Sequence, residues 1–165
     1  MSGFEIERKF LVRKDIDFRV RAHTKYSMRQ GYIPAKGATV RIRLRDDKGF
    51  LTIKGPASLH GLLRYEFEKE ISPDEANELL KLCTKPLIEK TRYLIDEGGH
   101  TFEVDEFYGD NEGLIIAEIE LKKVSEDFER PDFLGKEVTG DDRFYNSHLR
   151  LRPFCLWKDE LEDYK

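Results

Sequence analysis

The most informative feature of this sequence is a set of like-charged side chains spaced two residues apart. The groups with this spacing are Glu5 and Glu7, Arg41, Arg43 and Arg45, Glu66 and Glu68, Lys90 and Arg92, Glu103 and Asp105, and Glu118 and Glu120. In a β-strand, residues i and i+2 point to the same face, so each group would project its charges together. Carboxylate clusters suit hard divalent cations, and clusters of Arg and Lys suit phosphate. The pattern therefore favours a site for a metal–polyphosphate complex.

The alternative interpretation is an ordinary antiparallel sheet whose charged face meets solvent. A solvated face gains small pairing energies when opposite charges are mixed, whereas the charges in this sequence are segregated by sign. Two like charges ~7 Å apart along a strand repel by roughly 2 kcal/mol at an effective dielectric of about 20. In a confined space this repulsion requires a counter-charge, but the charge pattern alone leaves both the binding site and the solvated face open.

The overall composition limits the classes of partner. Of 165 residues, 38% are charged, yet 29 Lys and Arg against 33 Asp and Glu leave a net charge of only -4. Without a global basic field, we expect no nucleic-acid or membrane partner. The longest apolar runs, such as residues 114–117, are far shorter than the ~20 residues that a membrane-spanning helix requires. We expect one cytoplasmic domain over residues 1–165, with Cys83 and Cys155 as reduced thiols.

Two-residue alternation of polar and apolar side chains predicts most of the secondary structure. It predicts about eight strands, at residues 4–12, 26–33, 39–45, 50–54, 64–71, 90–95, 101–107 and 114–122. Turn residues at 46–49 and 97–99 separate two pairs of these strands. The charged groups therefore lie on one face of each strand, and the apolar residues lie on the other.

Two helices are predicted outside this series. Ser72, Pro73 and Glu75 form a capping box with proline at the first helical position, followed by an apolar stripe through Leu80. A second helix is predicted near residues 141–149, with Asp141 or Asp142 as its cap and with Phe144, Tyr145, His148 and Leu149 on one face. The tail at 158–165 is predicted to be frayed or helical surface.

The order of several short motifs resembles the CYTH superfamily, the triphosphate tunnel metalloenzymes. Glu5, Glu7 and Lys9 match its ExExK signature at the N-terminus. The further motifs follow in order along nearly the whole chain, at Gln30-Gly-Tyr-Ile33, Val40-Arg-Ile-Arg43, Thr52-Ile-Lys54, Tyr65-Glu-Phe-Glu68, Glu89-Lys-Thr-Arg-Tyr93, Val104-Asp105, Ala117-Glu-Ile-Glu120, Leu134-Gly-Lys-Glu-Val-Thr139 and Arg143-Phe-Tyr-Asn146. The sequence is most similar to the short bacterial members.

This resemblance implies an α+β fold, an eight-stranded antiparallel β-barrel with a few flanking helices and an inward polar face, an arrangement that alternation alone could not distinguish from an apolar-cored barrel. It implies Mg²⁺ or Mn²⁺ as cofactor, held by Glu5, Glu7, Glu118 and Glu120, with Asp105 as a weaker candidate. The implied phosphate-binding residues are Lys9, Arg41, Arg43, Lys54, Lys90 and Arg92. Glu66 and Glu68 would position a second metal or the attacking water, and Tyr32 resembles a position implicated in water activation. The implied catalytic set is then Lys9, Tyr32, Glu66, Glu68, Lys90 and Arg92.

Three functions stay open at this level. Hydrolysis of a triphosphate is favoured, and because the single tryptophan, Trp157, lies outside the predicted strands, inorganic triphosphate is favoured over a substrate with a ring to stack. An adenylate cyclase would need an adenine pocket and a base for the ribose hydroxyl, neither of which the sequence identifies. A non-catalytic polyphosphate or nucleotide-binding module would not need the carboxylates. A homodimer is retained as a candidate assembly.

Overall fold

Eight antiparallel strands close into a barrel. The computed structural model describes residues 2–161. Its strands are β1 Ser2–Val12, β2 Thr24–Ile33, β3 Thr39–Arg45, β4 Lys48–Lys54, β5 Leu63–Ile71, β6 Ile88–Glu97, β7 His100–Phe107 and β8 Ile115–Leu121. Because β5 pairs with β1 as well as with β4, the order β1-β5-β4-β3-β2-β6-β7-β8 returns to β1. The predicted eight-stranded antiparallel barrel is confirmed.

A ninth strand extends the pairing of β1. This strand, β9 Leu134–Glu137, pairs with the end of β1 through Phe10 and Val12. Arg8 of β1 anchors it, donating to both carboxylate oxygens of Glu137 at 2.8 and 2.6 Å. Its four residues are too few for alternation to be visible, so the sequence did not predict it.

The first helix forms where the sequence predicts it. Helix α1, Pro73–Leu80, begins with the predicted capping box, because Ser72 Oγ accepts from Glu75 N at 3.0 Å and Glu75 Oε1 accepts from Ser72 N at 2.9 Å. Its apolar stripe covers the outer face of β3 and β4, with Ala76 and Leu80 packed around Ile42. A Cβ atom at Gly49 would lie 2.7 Å from Ala76 Cβ, so glycine allows this close approach.

The predicted second helix is broken in two. It consists of a 3₁₀ turn at Asp142–Phe144 and one turn of α-helix, α2 Asn146–Leu149, separated by Tyr145 in an extended conformation. Asp141 caps the first turn by accepting from Arg143 N. Of the four residues predicted to share a face, Phe144 and Leu149 are buried, whereas Tyr145 is half-buried and His148 is exposed. Of the predicted tail, Lys158–Glu160 forms a 3₁₀ turn, while residues 162–165 lie outside the described part of the chain.

The C-terminal segment covers one end of the barrel. At that end the inward-facing residues are apolar, since Leu11 follows Lys9 on one face of β1 and Phe107 follows Asp105 on one face of β7. They form one buried cluster with Phe144, Leu149, Phe154 and Trp157 of the C-terminal segment, among others. Most of the other inward-facing residues are charged or polar.

Removing Trp157 tests whether this cover supports the barrel. Its indole is 2% exposed, meets the edges of Phe144 and Phe154 at centroid distances of 5.3 and 5.1 Å, and donates from Nε1 to Arg152 O at 3.0 Å. Trp157→Ala is expected to lower the free energy of unfolding in urea by about 3–5 kcal/mol. The exposed neighbour Leu156 gives the control, because Leu156→Ala should change it by less than about 0.5 kcal/mol. Equal effects of the two substitutions would contradict a structural role for the cover.

The state of the cysteines and the lengths of the helices bear on the predictions made from composition. Cys83 is buried, Cys155 is exposed, and both are free thiols. None of the helices within residues 2–161 combines the length and the apolar character needed to cross a membrane.

Candidate active site

The inward-facing side chains enclose a cavity of about 220 Å³ inside the barrel. All the predicted site residues except Asp105 line it. These lining residues are Glu5, Glu7, Lys9, Tyr32, Arg41, Arg43, Lys54, Glu66, Glu68, Lys90, Arg92, Glu118 and Glu120. The two-residue spacing groups these charged residues on one face of each strand, and in the closed barrel that face points inward.

The charges in the cavity are segregated into facing walls. An acidic wall is formed by β7, β8 and β1, which carry Glu103, Glu118, Glu120, Glu5 and Glu7. A cationic wall is formed by β3 and β4, which carry Arg41, Arg43, Arg45 and Lys54. In the eight-membered ring β8 and β3 are four places apart, so the acidic wall lies opposite the cationic wall. By the same count, β5 with Glu66 and Glu68 lies opposite β6 with Lys90 and Arg92.

The acidic wall is partly neutralised: Lys54, Lys9 and Arg92 pair with Glu5, Glu118 and Glu103, whereas Glu7 and Glu120 are in no ion pair among residues 2–161. Glu7 lies directly across from Glu120 in the ladder between β1 and β8. Burial and the carboxylates of Glu5, Glu103 and Glu7 together raise the pKa of Glu120. Glu5 accepts a hydrogen bond from Lys54 through Oε1 at 3.1 Å, but its buried Oε2 has no hydrogen-bond partner, even though it lies 3.0 Å from the same Nζ. A cation placed here would relieve the repulsion and give this oxygen a partner.

The carboxylates do not yet converge on one point. Among residues 2–161, no three His, Cys, Asp or Glu side chains form a group ready to hold a metal ion. The oxygens nevertheless suit a hard divalent cation in number and chemistry.

The cationic wall is also partly neutralised, with Arg41 Nη2 3.7 Å from Glu68 Oε1 and Lys54 Nζ 3.0 Å from Glu5 Oε2. Burial and the charges of Arg41 and Arg92 lower the pKa of Arg43 to about 9, and only its Nε is tied down, by donation to Gln30 Oε1 at 2.8 Å. Arg41 donates to Thr52 Oγ1 at 3.1 Å, whereas its buried Nε has no hydrogen-bond partner. Because both guanidinium groups line the cavity, an anion there would neutralise the wall and accept from its donors.

Asp105 lies on the inner face of β7 but does not line the cavity. It is 1% exposed and accepts from Lys90 Nζ at 2.7 Å and from Arg92 Nε and Nη2 at 2.8 and 2.9 Å. Burial favours its neutral form, but Arg92 and Lys90 outweigh burial and hold the pKa of Asp105 well below its usual range. The side chain thus anchors two cations, and its bonds to them occupy both oxygens.

A neutral network that the charge pattern did not mark holds the cations in place. Gln30 is fully buried and connects Arg43 to Tyr32, donating from Nε2 to Tyr32 Oη at 3.0 Å. Asn146 Oδ1 accepts from Gln30 Nε2 at 3.1 Å and from Lys90 Nζ at 2.9 Å. Both residues stand inside the sequence motifs given above, although as uncharged side chains they gave no signal of their own.

The remaining predicted residues occupy the edges of the two walls. Lys9 Nζ lies 3.6 Å from Glu118 Oε1 and 4.7 Å from the centroid of the Tyr145 ring. Burial opposes its charge, but Glu118 and Glu7 outweigh burial and raise the pKa of Lys9. Glu68 accepts from Thr52 Oγ1 at 3.0 Å. Tyr145 also explains the break in the predicted helix, because its extended backbone brings the ring to the cavity.

The interior of this antiparallel barrel has carboxylates on one side and arginines and lysines on the other, which suits a ligand that carries both positive and negative charge. Accordingly, a family model for the CYTH domain matches residues 3–145, and the chain belongs to the CYTH domain family. An inorganic triphosphatase of Acetivibrio thermocellus is 49% identical over 159 residues, covering 95% of this chain and 99% of the relative. An inorganic triphosphatase of Nitrosomonas europaea is 36% identical over 156 residues, covering 89% and 97%.

The fold of a solved relative agrees with this assignment. A crystal structure of an inorganic triphosphatase superposes with a TM-score of 0.62 at 32% identity, covering 89% of this chain and 94% of its own. The resemblance drawn from the sequence motifs is confirmed.

Proposed function

We propose that this chain hydrolyses inorganic tripolyphosphate to diphosphate and orthophosphate with Mg²⁺ or Mn²⁺ as cofactor. One observation carries the proposal: within one cavity, the arginines and lysine of β3 and β4 lie across the barrel from the carboxylates of β7, β8 and β1. A metal–triphosphate complex supplies both counter-charges at once. Two relatives that match over nearly their full lengths are inorganic triphosphatases, which supports the same activity.

The acidic wall is the proposed metal site. Glu5, Glu7, Glu118 and Glu120 would hold the ion, and Glu5 Oε2, which is buried without a hydrogen bond although Lys54 Nζ lies 3.0 Å away, is one oxygen that a metal could use. A bound divalent cation supplies neutralisation of phosphate charge and activation of water. Asp105 is left out of the proposed set, because its oxygens already accept from Lys90 and Arg92.

The cations are proposed to bind the triphosphate and to stabilise charge that develops during its cleavage. Arg41 and Arg43 present planar donor groups that can grip phosphate oxygens in pairs, and Lys54 extends this wall. Lys9 of β1 and Lys90 and Arg92 of β6 bind from the two sides of this wall. The positions of Arg43, Lys90 and Arg92 are set before substrate arrives by hydrogen bonds to Gln30, Asp105 and Asn146, so little reorganisation is needed when charge shifts toward the leaving diphosphate.

The attacking group is proposed to be water held by Tyr32 and the carboxylates of β5. Tyr32 Oη accepts from Gln30 Nε2, so its own hydroxyl hydrogen is available for a water or a phosphate oxygen. Glu66 and Glu68 line the same cavity and can accept from that water. Attack by water in line with the scissile bond needs no covalent intermediate.

The cavity favours a compact polyanion over a nucleotide. Its volume of about 220 Å³ lies below the roughly 300–1,000 Å³ of common ligand pockets. Most of its lining is charged, and Tyr32, Phe50 and Tyr145 are its aromatic members. An adenine pocket, which a cyclase requires, is not among its features. A simple binding module would need the cationic wall alone.

The proposed cellular setting is the cytoplasm. Cys83 and Cys155 are both free thiols, which suits a reducing compartment. A homodimer stays a prediction.

A substrate panel with and without metal tests the function. With Mg²⁺ or Mn²⁺ the protein is expected to release orthophosphate from tripolyphosphate faster than from ATP or thiamine triphosphate. Chelation of the metal by EDTA should lower the rate by at least about 100-fold, since the ion supplies several kcal/mol of charge stabilisation. Cyclic AMP as the main product from ATP would overturn the proposal in favour of a cyclase, and tight binding without turnover would favour a binding module.

A further inference from the structure

A second, smaller cavity lies beside the tunnel. It has a volume of about 170 Å³ and runs between the loop that follows β2 and the segment that contains α2. Tyr32, Thr39 and Ser147 line both this groove and the tunnel. Thr39 and Arg41 lie two residues apart on one face of β3, so the groove is continuous with the cationic wall.

The lining of this groove has one sign of charge. Arg150 is its charged member, His148, Ser147 and Thr39 contribute polar groups, and the other lining residues are tyrosine or apolar. No Asp or Glu belongs to the described residues that line it. The tunnel, by contrast, is lined by carboxylates and cations together. An anion in the groove would meet no repelling carboxylate there.

Arg150 differs from the arginines around it. Arg143 pairs with Asp141 at 2.7 Å and Arg152 pairs with Glu160 at 2.8 Å. Arg150 makes no ion pair within residues 2–161, and its buried Nε has no hydrogen-bond partner. Its guanidinium instead lies 5.8 Å from the centroid of the Tyr32 ring, which holds its position. A half-buried guanidinium with free donors in a concave site is suited to an oxyanion.

We propose that this groove is a second phosphate-binding site, in which Arg150 takes one phosphate group next to the tunnel. The group has two sources, the orthophosphate released in the tunnel and the far end of a polyphosphate chain longer than three units. The assignment of these sources rests on the proposed triphosphate hydrolysis. Binding of phosphate in the groove does not depend on turnover, and it can be measured alone.

Direct titration with inorganic phosphate tests the site. The titration uses the Arg41→Ala variant, in which binding in the tunnel is weakened, and follows the backbone amide NMR shifts of Ala38 and Leu151 at the groove. Adding Arg150→Gln is expected to raise the phosphate dissociation constant at least fivefold. Adding Arg152→Gln is the matched control, which should leave it unchanged, because Arg152 lies outside the groove and already pairs with Glu160.

A second variant keeps the test valid if Arg150→Gln disturbs folding. Leu151 is 66% exposed and lines the groove, so Leu151→Glu adds a repelling carboxylate without disturbing the core. It is also expected to weaken phosphate binding at least threefold. Wild-type phosphate affinity in both variants overturns the site, whatever the protein does to tripolyphosphate.

Kinetics on two chain lengths distinguish the sources. If the groove holds the end of a longer chain, Arg150→Gln lowers kcat/KM for tetrapolyphosphate at least threefold relative to tripolyphosphate. If it holds released product, the ratio is unchanged and inhibition by added orthophosphate weakens. An enzyme that turns over neither substrate, yet loses phosphate binding with Arg150→Gln, would refute the proposed function and leave the second site established.

Discussion

Arg41→Ala is expected to lower kcat/KM for tripolyphosphate by about 10- to 150-fold, the effect of losing ~1.5–3 kcal/mol of charge-assisted hydrogen bonding. The melting temperature is expected to stay the same or to rise. Arg41 has a buried Nε without a partner, and its charge helps to lower the pKa of Arg43, so the folded protein gains little stability from it. A substitution that lowers activity but does not lower the stability of the substrate-free protein is expected for a residue whose role is to bind an anion.

The matched control is an arginine of the neighbouring strand that points outward. Arg29 lies on β2, exposed on the outer surface of the barrel, so Arg29→Ala should change neither rate nor melting temperature. Initial rates over a range of substrate concentrations, together with thermal unfolding, measure both quantities. Near-normal turnover by Arg41→Ala would remove the cationic wall from the proposed site, and a large loss of stability would make Arg41 a structural residue.

Much of the fold could be predicted because strand alternation is a local property. Each strand carries its own two faces, so the strands appeared in the sequence without knowledge of their partners. Which face points inward is a property of barrel closure. It required the family resemblance, since alternation is the same in a barrel with an apolar centre. The four-residue β9 and the break at Tyr145 depend on contacts with β1 and with Lys9 that no local pattern records.

The site was predictable to the extent that charge is visible in a sequence. The like-charged groups pointed to the cavity lining, but Asp105 has the same spacing and does not line the cavity, because its oxygens are bound to Lys90 and Arg92. Gln30 and Asn146 are uncharged and become recognisable only through their bonds to the cations. Arg150 became notable through the partners it lacks, which a sequence cannot show.

Glu120→Gln is expected to produce the second large effect, on the opposite wall. The substitution keeps the shape of the side chain and removes one negative charge from the proposed metal site. The metal concentration needed for half-maximal activity should rise at least about 10-fold, because a site with fewer negatively charged ligands binds a hard cation more weakly. The rate at limiting metal should fall by a similar factor. Titration of activity with Mg²⁺ and with Mn²⁺ measures both.

The same substitution should leave the fold intact or make it more stable, and the sign follows from the pKa. Burial and the carboxylates of Glu5, Glu103 and Glu7 raise the pKa of Glu120, so at pH values above the folded-state pKa the ionised side chain lowers the stability of the metal-free protein. Glutamine removes this repulsion, and the melting temperature at neutral pH should be equal or higher. Glu89→Gln, an exposed position on the outer face of β6, is the control for loss of a carboxylate. If Glu120→Gln required no additional metal, or if it unfolded the protein, the carboxylates of this wall would be structural, and the counter-charge for the triphosphate would have to come from the cationic wall alone.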